Sequence, residues 1–546
     1  MTDKNLLTLT INQHQKAYTF EQAFSLCKQL LVNKSPNFEG ILRQVVDNAS
    51  LEHNQKKHFF QLAFNIYLQR KQYSNLLDIS EVAIKKFGIK DENSRWANAF
   101  YANAVANRYL RKPECAKDSL ENAVKLNPKQ LSWIRLLATM EKELGHFDKA
   151  LKHLDICVSL NPNDAESYWL RSDLSLALSA SALSNLEGLA NLESIQGTNY
   201  SANHSANSSE SSSENPPVDD NLKNRAYACF TLFRYHQNNR DHQTAFSYLT
   251  LGNRLFADCY ISPAEQQAIS SVKQEHQAIS DIFSATFLKA DHHEESDVLE
   301  AVNSLGEKSL FICGMPRAGT TLIEQILASH SDINAGDELF YLAEASQDVL
   351  ISNTAEKSQK PFPFWAPTLA QSQWQDIGHR YIKKCQPLAQ GKYLTDKMPL
   401  NYKALGIIAK ALPKAKVIYC QRNKQDTIWG CYQQILGQGN TFSFDLNDLA
   451  VQFDAHRSLM NHWLTALEEM IFVLDYQQLI EQPEVTVKQL CEFIGTEFQT
   501  EMLDFYQNNQ PVHTVSSAQV REPLTSRYHQ QWQAYRAFLP DSFFND

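Results

Sequence analysis

No C-x-x-C pair occurs among the ten cysteines of the 546-residue chain, and several of them, Cys313 and Cys420 included, sit inside apolar runs. This spacing speaks against a zinc site or a disulfide framework and for buried reduced thiols. An excess of basic charge is also missing, since 51 Lys and Arg against 61 Asp and Glu give a formal net charge of -10. The chain as a whole has no electrostatic reason to bind nucleic acid or an anionic membrane, so any anion chemistry must be local. No uninterrupted apolar run reaches membrane-spanning length, and Met1-Thr-Asp-Lys-Asn5 lacks the basic-then-apolar pattern of an export signal. A cytoplasmic location is the expectation that follows. At this length one hydrophobic core is too few, and at least two domains are expected.

What the N-terminal half does have is a repeat. At an offset of 34 residues Pro128 falls on Pro162, Asn127 on Asn161, Leu126 on Leu160, Leu120 on Leu154 and Ala116 on Ala150. Thirty-four residues is the tetratricopeptide period. Within one unit Ser132–Ala138 begins a helix, Gly145–Ala150 holds a turn and a small packing residue, and Leu151–Leu160 forms a second helix ended by proline. Looser copies fall at Tyr73–Phe87 and Ala226–Arg254. A helical hairpin cannot bury its apolar face alone, so the units must stack into a solenoid. Residues 1–295 therefore read as a tetratricopeptide-like helical domain. Its Ser- and Asn-rich insertion near 199–220 has too few large apolar groups to offset its own ordering entropy. The sequons at Asn199, Asn203 and Asn207 fall in that insertion and read as solvated loop, as does Asp291-His-His-Glu-Glu295 at the domain boundary.

Residues 300–546 carry a different pattern. Ser309–Cys313 is a short apolar run of the kind buried in parallel sheets, and Gly314-Met-Pro-Arg-Ala-Gly319-Thr-Thr321 follows it directly. Leu322–Ala328 then has helical spacing. Strand, glycine-bearing loop and helix together direct backbone N–H groups at a phosphate. The two glycines and Thr321 match the Walker A spacing, but Thr320 stands where its lysine belongs, which disfavours an ordinary ATPase or kinase. The loop carries its own cation at Arg317, whose planar fork suits a tetrahedral oxyanion.

Pro316-Arg-Ala-Gly-Thr-Thr321 resembles the 5′-phosphosulfate loop of the sulfotransferases. It is most similar to the tyrosylprotein sulfotransferase branch and to bacterial sulfotransferases preceded by tetratricopeptide repeats. The resemblance implies an α-helical solenoid followed by an α/β P-loop-like domain with a parallel central sheet. It also implies PAPS as donor, 3′,5′-ADP as product, and no metal. Arg317, Ala318, Gly319, Thr320 and Thr321 would hold the 5′-phosphosulfate. A strand over Pro413–Cys420 leads to Arg422, which matches the family's 3′-phosphate arginine; the family's partner serine is replaced by Gly430, leaving Thr427 as a substitute hydroxyl. The strand Ile471–Tyr476 ends in a tyrosine matching a position near the nucleotide, and Arg521 offers a third phosphate cation.

The same resemblance supplies catalytic roles. Glu338 lies 21 residues beyond Arg317, the separation at which the family carries its general base, and Lys397 and Ser516 match the lysine and serine that stabilise the departing oxygen. Peptide tyrosine, a carbohydrate hydroxyl and a small metabolite all remain open as acceptors. The repeat surface either binds a peptide or protein acceptor or only props up or dimerises the catalytic half. Two other classes stay in view, a P-loop kinase and a tetratricopeptide scaffold whose nucleotide domain has decayed.

Overall fold

The computed structural model describes residues 7–11, 14–33, 35, 37–48, 51–87, 96–191, 219–289, 304–352, 360–437, 439–508, 510–512, 514 and 517–545. Of the insertion expected at 199–220, residues 199–218 with their three sequons lie outside these, as do Asp291–Glu295. The chain forms two compact units, Met1–Asn161 and Pro162–Asp546.

In the first unit an antiparallel hairpin, β1 (Leu7–Ile11) and β2 (His14–Tyr18), precedes a series of helices. The 34-residue offset has a physical counterpart. Helices Pro113–Leu126 and Phe147–Leu160 bury Ala116, Leu120 and Ala123 in the one and Ala150, Leu154 and Cys157 in the other. Each ends on an asparagine whose N–H reaches back to the fourth residue before it, Ala123 from Asn127 and Cys157 from Asn161. Proline follows one residue later where the ladder cannot continue. Helix Leu131–Glu143 lies between them and buries Trp133, Leu137 and Met140.

The second unit is built on a five-stranded parallel sheet in the order β4-β5-β3-β6-β7. Its strands are β3 (Ser309–Gly314), β4 (Ile333–Asn334), β5 (Tyr393–Lys397), β6 (Lys416–Gln421) and β7 (Ile471–Asp475). β3 is central and nearly wholly buried, and the chain leaves it first toward β4 and β5 and then crosses to β6 and β7. Such a reversal opens a crevice outside the carboxyl ends of the strands, where α/β sheets bind ligands.

The division at Asn161 falls well before the boundary near 295–300 read from sequence. Packing explains the difference. Phe283, fully buried, sits in one core with Phe311, Tyr381 and Trp463, and so close to Gly406 that a Cβ there would stand 2.3 Å from its ring. The hairpin of helices Asp220–Asn238 and His242–Tyr260 joins the same unit, with Asn253 donating to the Tyr432 carbonyl at 3.0 Å. All cysteines except Cys115 and Cys259 are buried. Among the described residues no helix is long and apolar enough to cross a membrane.

Candidate functional site

The loop after β3 is shaped by two glycines and one strained arginine. A Cβ at Gly314 would meet the Cys420 carbonyl oxygen at 2.6 Å, so only glycine lets the loop leave the sheet beside β6. Gly319, at φ 103°, lies under the ring of Tyr476, and a Cβ there would come within 2.7 Å of it. Arg317 adopts the left-handed region at φ 68°, a conformation that costs a non-glycine residue about 1 kcal/mol and persists where surroundings impose it. Helix Thr320–Ala328 starts at Gly319, which offers no side-chain cap, so the first-turn N–H groups are left for a ligand.

These groups line a cavity together with Arg422, Gln519 and Tyr528. Arg422 donates to the Arg317 carbonyl at 3.0 Å and to the Tyr528 carbonyl at 2.7 Å, and its guanidinium stands 4.6 Å from the Tyr476 ring centre. The buried Nε of Arg422 has no hydrogen-bond partner among the described residues. Arg317 donates to the Gln519 amide oxygen at 2.7 Å. Burial, and then the charge of Arg422, lower the pKa of Arg317. Two cations held together at an uncapped helix start form a site for a polyanion, whose charge would relieve both.

At the neighbouring end of β5, Lys397 is buried, with its side chain 1% exposed, and its Nζ contacts Glu338 Oε1 at 2.9 Å and Asp337 Oδ1 at 3.0 Å. Burial alone would lower the pKa of the lysine; Asp337, Glu324 and Glu338 outweigh it and hold the pKa above its ordinary value. Glu338 remains 43% exposed, open on one side. The turn carrying both acids is fixed to β5: the Lys397 N–H donates to the Asp337 carbonyl at 2.9 Å and the Gly336 N–H to Thr395 Oγ1 at 3.1 Å. Behind it, burial pushes the carboxyls of Glu324 and Asp396 up to about 7.

Of the residues singled out in the sequence, Arg317, Gly319, Thr320, Thr321, Arg422 and Tyr476 converge on one cavity, while Glu338 and Lys397 pair with each other. Ala318 is buried within the loop, its N–H on the Met315 carbonyl at 3.1 Å. Thr427 does not line the cavity; its hydroxyl donates to the Asn423 carbonyl at 2.8 Å, inside its own helix, Lys424–Tyr432. Arg521 is turned to the backbone carbonyls of Asn508 and Gln510. Ser516 lies outside the described residues. Sequence reasoning missed Glu324, Gln519 and Tyr528. Glu324 lies in a helix buried almost all round, where a carboxylate reads as its solvent face, and the other two lie in a segment whose path no local pattern fixes. Among the described residues no group of three or more His, Cys, Asp or Glu side chains is arranged to hold a metal ion.

Comparison with known proteins bears on this geometry. Residues 309–500 match the sulfotransferase family. An uncharacterized protein of Aquifex aeolicus is 25% identical over 496 residues, covering 89% of this chain and 59% of that protein. Protein-tyrosine sulfotransferase 1 of Danio rerio is 26% identical over 198 residues, 34% of this chain and 52% of that one. The chain thus spans little more than half the length of these curated relatives. A solved sulfotransferase domain from the curacin biosynthetic pathway aligns over 43% of this chain and 94% of its own, at 20% identity and a TM-score of 0.31. The C-terminal part of the chain therefore carries a sulfotransferase-family domain, with distant similarity to the protein-tyrosine sulfotransferases.

Proposed function

We propose that this chain transfers a sulfuryl group from PAPS to an acceptor hydroxyl, with a tyrosine of a peptide or protein as the first acceptor to test. The observation that carries the reading is the pairing of Arg317 with Arg422 at the uncapped start of the loop helix. A donor with phosphates at both ends of its ribose suits two separate cations and a ring of N–H groups. The absent Walker lysine leaves a γ-phosphate without its usual point charge.

In this reading Gly319, Thr320, Thr321 and Arg317 hold the 5′-phosphosulfate, and Arg422 holds the 3′-phosphate. Tyr476 walls the nucleotide site, and Arg521 acts through the Asn508 and Gln510 carbonyls that it anchors. Glu338 takes the proton of the acceptor hydroxyl as the acceptor oxygen bonds to sulfur and the bond from sulfur to the 5′-phosphate oxygen breaks. Lys397, with Ser516, stabilises the charge gathering on that departing oxygen. 3′,5′-ADP and the sulfate ester leave. The protein mainly positions and neutralises charge, as in phosphoryl transfer.

The helices of the first unit keep, in this proposal, the tetratricopeptide role of engaging a peptide or protein acceptor or a second copy of the chain. Calorimetric titration with 3′,5′-ADP in the absence of magnesium tests the donor reading: tight binding supports it. Binding of ATP only with magnesium would favour a kinase, and binding of neither a scaffold. Radiolabelled donor and fractionated cell extract then identify the acceptor.

A further inference from the structure

The acid and the lysine of the proposed reaction are held from behind by a side chain to which that reaction gives no role. Glu324 is buried on the loop helix, three residues past Thr321. Its Oε1 accepts from the Asp337 N–H at 2.9 Å and from the Thr395 hydroxyl at 2.8 Å. Thr395 Oγ1 accepts in turn from the Gly336 N–H. One carboxylate oxygen therefore ties the turn that carries Asp337 and Glu338 to the helix that carries the donor loop.

The turn needs such a tie. Asp337 lies in the left-handed region at φ 58°, and a Cβ at Gly336 would stand 2.1 Å from the Thr395 carbonyl oxygen. A turn strained in this way keeps its shape only while its surroundings over-determine it. If it relaxed, Glu338 and Asp337 would leave Lys397 together, because both acids reach that ammonium from adjacent positions.

We propose that Glu324 is a positioning residue for sulfuryl transfer. By accepting from Asp337 and Thr395 it fixes Glu338 and Lys397 in the one arrangement that serves both the acceptor proton and the departing oxygen. The proposal rests on the PAPS reading above. It assigns Glu324 chiefly the part of a hydrogen-bond acceptor, which an amide oxygen can also play, while the contacting Asp337 and Glu338 carboxylates still face Lys397 when the Glu324 charge is removed.

The test uses the full chain and labelled PAPS, with a tyrosine peptide, a phenol and a simple sugar offered as acceptors. Glu324→Met should lower kcat by about tenfold to a hundredfold, the scale of a displaced catalytic group, with 3′,5′-ADP affinity within about twofold of the parent. Glu324→Gln should restore most of kcat. Combining Glu324→Met with Glu338→Gln should lower kcat no further than Glu338→Gln alone, since both act through one group. If the methionine variant does not fold, Thr395→Val should lower kcat at unchanged nucleotide affinity. Four results overturn the proposal: a glutamine variant as impaired as methionine, additive losses in the double variant, nucleotide affinity falling in step with kcat, or an unaffected Thr395→Val. A parent chain that neither binds 3′,5′-ADP nor transfers sulfate would overturn the donor reading itself and this proposal with it.

Discussion

Gly430 and Arg317 pack directly against each other: a Cβ at Gly430 would stand 3.1 Å from the Cβ of Arg317 and 3.6 Å from its Cγ. In the sequence Gly430 reads as a missing serine of the 3′-phosphate station. In the structure the missing side chain is the space that the loop arginine occupies, so the loss of one polar contact and the burial of one cation belong together.

Gly430→Ser is therefore expected to weaken 3′,5′-ADP binding by about tenfold, equivalent to about 1.4 kcal/mol, because the Arg317 stem is close to the backbone and has little room to yield. Calorimetric titration checks it. Equal or tighter binding would show that the new hydroxyl reaches the ligand and that Arg317 moves without loss.

Arg422→Ala should lower affinity for 3′,5′-ADP by roughly a hundredfold, a charge-assisted contact and its geometry lost together. Affinity for 5′-AMP should change far less. Competition between the two nucleotides reads the difference directly, and an equal loss for both would move Arg422 away from the 3′-phosphate.

Glu338→Gln should reduce kcat by about a hundredfold to ten-thousandfold, the usual worth of a general base, while donor affinity stays near that of the parent. Loss of donor binding instead would make Glu338 a structural partner of Lys397 and nothing more.

Asp396 gives a pH prediction with a definite sign. Its carboxyl is pushed up to about 7 by burial, while Tyr381 donates to it at 3.1 Å and Asn401 at 3.2 Å. The unfolded chain releases that proton near the ordinary carboxylate value of about 4, so between about pH 4 and about pH 7 the folded chain binds more protons. Stability should therefore fall across that window, by up to about 1.4 kcal/mol per pH unit for each such group, and level off above it. Asp396→Asn should flatten the fall. Urea unfolding from about pH 5 to about pH 8 measures both slopes, and a parent curve that rises through this range would contradict the assignment.

Much of the second unit was legible in the sequence. β3, β6 and β7 are short, largely apolar runs, and the loop glycines announce themselves by spacing. β4 has two residues, too few to show a period, whereas Leu7-Thr-Leu-Thr-Ile11 of β1 does alternate, with Leu7 and Leu9 buried, a signal overshadowed by the helical repeat. The domain boundary escaped for another reason. The helices Asp220–Asn238 and His242–Tyr260 look like further repeats locally, and only their tertiary partners, such as Tyr432 for Asn253, assign them to the second unit. In the site, residue type revealed the cations but not their direction. Both Arg422 and Arg521 donate to backbone carbonyls, yet only Arg422 lines the cavity, a difference that depends on chain path.

The seat of Phe283 against Gly406 decides how this polypeptide can be cut. A fragment starting near residue 300 would keep every proposed donor-binding and catalytic group yet lose the ring that fills the space beside that glycine, leaving a void of the size that removing a core phenylalanine creates and that commonly destabilises by about 3–5 kcal/mol. Expression, crystallisation or exchange between related chains would have to take the segment from Pro162 onward as the portable piece.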